Sequence, residues 1–96
     1  MNAAQTAMGL EARPHVAGHF RLQWEEVQKA WVLLYPEGMV KLNGSAGEIM
    51  TLIDGRRDVQ ALIDALSARF PDAEGLADDV LAFIEVAHGQ HWLQLR

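Results

Sequence analysis

A chain of 96 residues, half of them apolar, suits one small domain with a modest core. It has no cysteine, which removes disulfides, thiolate metal sites and thiol nucleophiles and fits a reducing cytoplasm. No apolar run approaches the ~20 residues of a membrane helix. The formal charge is −5, and no Lys or Arg stands between Phe70 and Leu95, so the acidic C-terminal third is a poor surface for nucleic acid.

Residues 1–15 are expected to be a flexible N-terminal arm, without the charged and apolar regions of a signal peptide. Residues 16–96 are expected to form the domain. From Phe20 to Leu42 the pattern has the period of a strand. Phe20, Leu22 and Trp24 alternate with Arg21, Gln23 and Glu25, which predicts a half-buried strand. Ala30 to Tyr35 is a continuous apolar run and predicts a central strand. Tyr35-Pro36-Glu37-Gly38 predicts a turn in which Pro36 pre-sets φ at the second position and Gly38 tolerates positive φ at the exit. Met39 to Leu42 returns as a third short strand, with Val40 and Leu42 on one face and Met39 and Lys41 on the other.

From Ser45 to His88 the period becomes helical. Ser45 and Glu48 fit a capping box for a first helix carrying Ala46, Ile49, Met50 and Ile53, stopped at Asp54-Gly55. Asp58 caps a second helix, which ends at Phe70-Pro71 because the residue before proline avoids helical geometry. Asp72 is the expected cap of a third helix, in which Leu76, Val80, Phe83, Ile84 and Ala87 recur at helical spacing up to His88-Gly89. Trp92, Leu93 and Leu95 form an apolar tail that could be a last strand. The expected fold class is α+β and winged-helix-like: a three-stranded antiparallel sheet followed by three helices.

Little in the chain points to catalysis. His15 and His19, and His88 and His91, have helical metal-ligand spacings, but Pro14, Gly18 and Gly89 interrupt the helices that would align them. They read as surface histidines, with no metal site. Ser45 lacks a nucleophile context, and Gly44 and Gly47 lack the lysine and spacing of a phosphate loop. A binding protein that is not an enzyme is expected. The alternative is a winged-helix DNA-binding regulator. Against it, the third helix carries Asp78, Asp79 and Glu85 and no base, whereas a recognition helix presents basic or amide side chains.

The ordered series VLLYPEG (Val32 to Gly38), VKLN (Val40 to Asn43), Ser45-Ala46, IDG (Ile53 to Gly55) and RFP (Arg69 to Pro71), closing on Asp79-Val80 and Phe83-Ile84, resembles the PqqD family. The resemblance covers about Phe20 to Trp92. It implies a peptide-recognition domain for pyrroloquinoline quinone biosynthesis, which binds the leader of the precursor peptide PqqA and presents it to the radical S-adenosylmethionine enzyme PqqE. It implies no cofactor and no chemistry by the domain itself. The leader would add as a strand along Met39, Val40, Lys41 and Leu42, with side-chain pockets against Val80, Phe83 and Ile84, and Lys41 could meet an acidic leader residue. The same edge could pair with a second copy into a homodimer.

Overall fold

The computed structural model describes residues 9–96. In chain order these form strands β1 (Pro14–Val16), β2 (Arg21–Glu25), β3 (Ala30–Tyr35) and β4 (Gly38–Lys41), helices α1 (Gly44–Leu52), α2 (Val59–Arg69) and α3 (Leu76–Gly89), and strand β5 (Leu93–Leu95). The antiparallel sheet β2-β3-β4 and the three helices that follow it are the expected α+β arrangement. Among the described residues no helix is long and apolar enough to cross a membrane.

The apolar run of β3 makes it the central strand, with Val32 and Leu33 buried on opposite faces. Trp24 of β2 stands opposite Trp31 of β3, and their rings meet edge to face at 5.5 Å. The β3–β4 turn carries only Pro36 and Glu37 between the paired residues Tyr35 and Gly38. Gly38 does not use the positive φ that a glycine tolerates. A Cβ there would lie 3.6 Å from the Tyr35 hydroxyl, so the ring packs over the glycine.

The helix ends show where local pattern and tertiary context part. Asp58 caps α2 as expected, its carboxylate accepting the Ala61 N–H at 2.8 Å, and the helix stops before Phe70. For α1 the cap is Asn43, not Ser45: the Asn43 side chain accepts the Ala46 N–H at 2.8 Å. The chain leaves β4 and turns at once, so the helix starts earlier than the Ser45–Glu48 pattern suggests. Glu48 instead pairs with Arg69 of α2 at 2.9 Å. For α3, Asp72 lies too far upstream of Leu76 to cap it. Gly75 holds that position in left-handed geometry, φ 68°, with no side-chain cap. Between α1 and α2, Gly55 takes φ 79° and Asp54 accepts the N–H groups of Arg57 and Arg56 at 2.8 and 2.9 Å. Those amide dipoles hold the Asp54 carboxyl below its ordinary pKa.

The expected boundary between arm and domain moves toward the N-terminus. Residues 1–8 of the expected arm lie outside the described residues. Residues 10–15 belong to the fold. β1 pairs antiparallel with β5, Pro14 is fully buried, and the carbonyls of Leu10 and Ala12 accept the N–H groups of Gln60 and Val59 at 3.0 and 2.9 Å. These two donors are among those a helix N-terminus leaves unpaired, so the segment completes the first turn of α2. Leu33, Leu42, Met50, Leu62, Ile84 and Leu93 form the centre of a single core shared by sheet, helices and the β1–β5 ribbon.

Candidate peptide-binding groove

β4 is the edge of its sheet, paired only with β3 among the described residues. The register decides which backbone groups that edge exposes. The Leu42 N–H donates to the Trp31 carbonyl at 3.0 Å, although Leu42 lies just beyond the strand. Antiparallel pairs alternate between bonded and non-bonded, so the bonded pairs are Leu42 with Trp31, Val40 with Leu33, and Gly38 with Tyr35. The N–H and C=O groups of Met39 and Lys41 therefore point away from the sheet. They stand two residues apart, the repeat at which an added strand makes its bonds.

The side chains sort the other way. Met39 and Lys41 are exposed, Val40 is half-buried, and Leu42 lies in the core at 4% exposure.

Beyond the end of β4 a groove of about 600 Å³ opens between the first turns of α1, the end of α2 and one flank of α3. Its apolar lining includes Ile49, Leu66, Phe70, Leu76, Val80 and Phe83, and Glu48 and Asp79 also border it. Phe70 is 42% exposed, and Phe83 is half-buried. Asp79 and Phe83 lie four residues apart on α3 and share one flank, which Val86, three residues on and 57% exposed, continues. This is the flank that faces the groove.

Of the residues expected at the site, Phe83 and Val80 line this groove, Val80 from a fully buried position. Ile84 is fully buried in the core and does not line it. Sequence reasoning passed over Phe70, read only as a helix stop, over Leu76 and Asp79, which line the groove, and over Val86, which does not line it but continues the Asp79–Phe83 flank. The i, i+4 and i, i+3 spacing about Phe83 was the available signal for Asp79 and Val86. Among the described residues no three His, Asp or Glu side chains gather at a metal-binding distance. His15 instead shares a hydrogen bond with Gln94, Nε2 to Oε1, at 2.9 Å.

Comparison with known proteins turns on the span that contains this site. Residues 30–93 match the family model described as coenzyme PQQ synthesis protein D (PqqD). The chain belongs to the PqqD family. The PqqD match runs from the start of β3 to the start of β5 and takes in β4 and every residue lining the groove. A Pseudomonas aeruginosa relative named PqqA binding protein is 56% identical over 91% of this chain and 95% of its own length. A Klebsiella pneumoniae protein of the same name is 53% identical over 80% of this chain and 84% of its own. A solved relative is the NMR structure of a PqqD truncation of Methylobacterium extorquens PqqCD. That structure is described as a functional, stand-alone recognition element for ribosomally synthesised, post-translationally modified peptides. It aligns with a TM-score of 0.75 at 26% identity, over 93% of this chain and 96% of that one.

Proposed function

We propose that this protein binds the leader of the PqqA precursor peptide as an added strand on β4 and presents it to the radical S-adenosylmethionine enzyme PqqE. The observation that carries the reading is the outward set of backbone groups at Met39 and Lys41, close to an apolar groove whose α3 flank is Leu76, Asp79, Val80 and Phe83. Relatives covering most of this chain bear the name PqqA binding protein, which supplies the identity of the peptide.

The two parts of the site do different work. Backbone bonds to Met39 and Lys41 contribute about 0.5–1.5 kcal/mol each and accept almost any sequence. Discrimination comes from peptide side chains entering the groove, where burying one Leu-sized side chain contributes about 1.5–3 kcal/mol. A leader with apolar residues at alternate positions meets both demands. The protein's part is to bind and position, and the chemistry on the peptide belongs to the enzyme. A cytoplasmic encounter is part of this reading.

The test is titration of isotope-labelled protein with a PqqA peptide. Saturable binding is expected, with the largest amide shifts at Met39 and Lys41 and ring-proton shifts at Phe83. Saturable binding that leaves the β4 amides unmoved would remove strand addition, and absence of binding would remove the reading altogether.

A further inference from the structure

Four of the eight Lys and Arg residues of this acidic chain, Arg13, Arg56, Arg57 and Arg96, come from three segments distant in sequence and meet around the β1–β5 ribbon. Arg13 and Arg96 extend that ribbon by one bonded pair. The Arg13 N–H donates to the Arg96 carbonyl at 3.0 Å, and the Arg96 N–H returns to the Arg13 carbonyl at 3.1 Å. Two like charges directly opposite each other on a ribbon destabilise it. Strand alternation puts His15 and Gln94 on the same face as the two arginines, because Pro14 between them is buried on the other side. The Asp54–Arg57 turn closes against this face: a Cβ on Gly55 would lie 3.4 Å from the His15 Cβ, and the Gly55 N–H donates to the Pro14 carbonyl at 3.1 Å.

Arg57 is committed locally, donating to the Leu52 carbonyl at 2.9 Å and pairing with Asp54 at 3.3 Å. Arg13, Arg56 and Arg96 are exposed, and none of them makes an ion pair among the described residues. Backbone pairing thus sets Arg13 opposite Arg96 and brings the segment of Arg56 to the same ribbon, and none of the three side chains has a carboxylate side chain as ion-pair partner among the described residues. None of these residues lines the peptide groove, so both surfaces can be occupied at once.

We propose that this arginine face is a docking surface for an acidic surface on the enzyme that receives the held peptide. The identity of that enzyme rests on the functional reading above. Charge complementarity selects the occupant: planar guanidinium forks match carboxylates. The net charge of −5 on the whole chain opposes a long polyanion such as nucleic acid.

The experiment measures binding of PqqE to the full chain carrying R13Q/R96Q, with R21Q as a control that removes an exposed cation elsewhere. Peptide affinity is measured in parallel, and far-UV circular dichroism checks the fold. Only side chains change, so the ribbon's backbone bonds stay available. The expected result for R13Q/R96Q is about tenfold weaker PqqE binding, a shallower salt dependence and unchanged peptide affinity. R21Q should bind as the unmodified chain does. If R13Q/R96Q folds and binds PqqE unchanged, or if R21Q weakens binding equally, the proposal is overturned while the peptide reading stands. Retention of duplex DNA at low salt that is lost in R13Q/R96Q would also overturn it, by putting nucleic acid on this face. Absence of peptide binding in the unmodified chain would count against the functional reading instead.

Discussion

Gly47 of α1 lies against the indole of Trp31 in β3: a Cβ at Gly47 would come within 2.9 Å of the ring's Cδ1 and 3.3 Å of its Cβ. The contact sets how closely α1 approaches the sheet whose edge is β4. The atoms met are near the root of the Trp31 side chain, and its ring is held edge to face by Trp24, so rotation gives little relief. Gly47→Ala should therefore destabilise the protein by about 1–2 kcal/mol, despite the ~1 kcal/mol that Ala gains over Gly inside a helix. Urea denaturation reads this directly. In a Trp31→Leu background the same substitution should become neutral or stabilising. A raised midpoint for Gly47→Ala alone would disprove the close contact.

The two candidate caps of α1 make opposite predictions. Asn43→Ala removes the acceptor of the Ala46 N–H and should cost about 1 kcal/mol. Ser45→Ala should change stability by less than about 0.5 kcal/mol, since Ser45 is exposed within the helix. Thermal denaturation of the two variants side by side decides between them, and the reverse order would restore Ser45 as the cap.

Proline separates the two sides of β4. Val40→Pro removes an N–H directed at Leu33 and should unfold or strongly destabilise the β3–β4 hairpin. Lys41→Pro removes an outward N–H, which an edge strand tolerates, and should leave the fold intact while weakening the PqqA peptide about tenfold. Calorimetric titration of a folded Lys41→Pro protein that showed unchanged affinity would exclude pairing along this edge.

Neighbouring residues of α3 should behave as different kinds of position. Ile84→Ala empties a fully buried site and should cost about 2–5 kcal/mol of stability. Phe83→Ala removes a half-buried ring from the groove and should show its largest effect in peptide affinity. Val86→Lys puts a charge on the same exposed flank and should weaken the peptide with little change in stability. Equal loss of peptide affinity and stability in all three, by titration and denaturation, would show that the flank is scaffold alone.

The elements that build the candidate site were legible one at a time. The alternation Met39-Val40-Lys41-Leu42 correctly divides outward from inward side chains. It says nothing of which backbone groups are free, because that depends on the pairing of Leu42 with Trp31 across the hairpin. The stripe Leu76, Val80, Phe83, Ile84 and Ala87 marks a helix with an apolar face. Which edge of that face stays open depends on where α1 and the end of α2 stand against it, and so Ile84 falls in the core while Asp79 and Val86 fall on the open flank.

By itself the sequence determined the change of period after β4, the cap at Asp58, the stop before Pro71, the succession of strands and helices, and the family resemblance. These rest on patterns within a single segment, where neighbouring residues supply the physical constraint. The tertiary structure alone decided the early start of α1 at Asn43, the docking of residues 10–15 on α2, the β1–β5 ribbon, the open flank of α3 and the meeting of Arg13, Arg56 and Arg96. Each of these is a contact between residues far apart in the chain. Such contacts form because buried backbone groups must find partners and apolar faces must be covered, and neither demand leaves a period in the segments that meet.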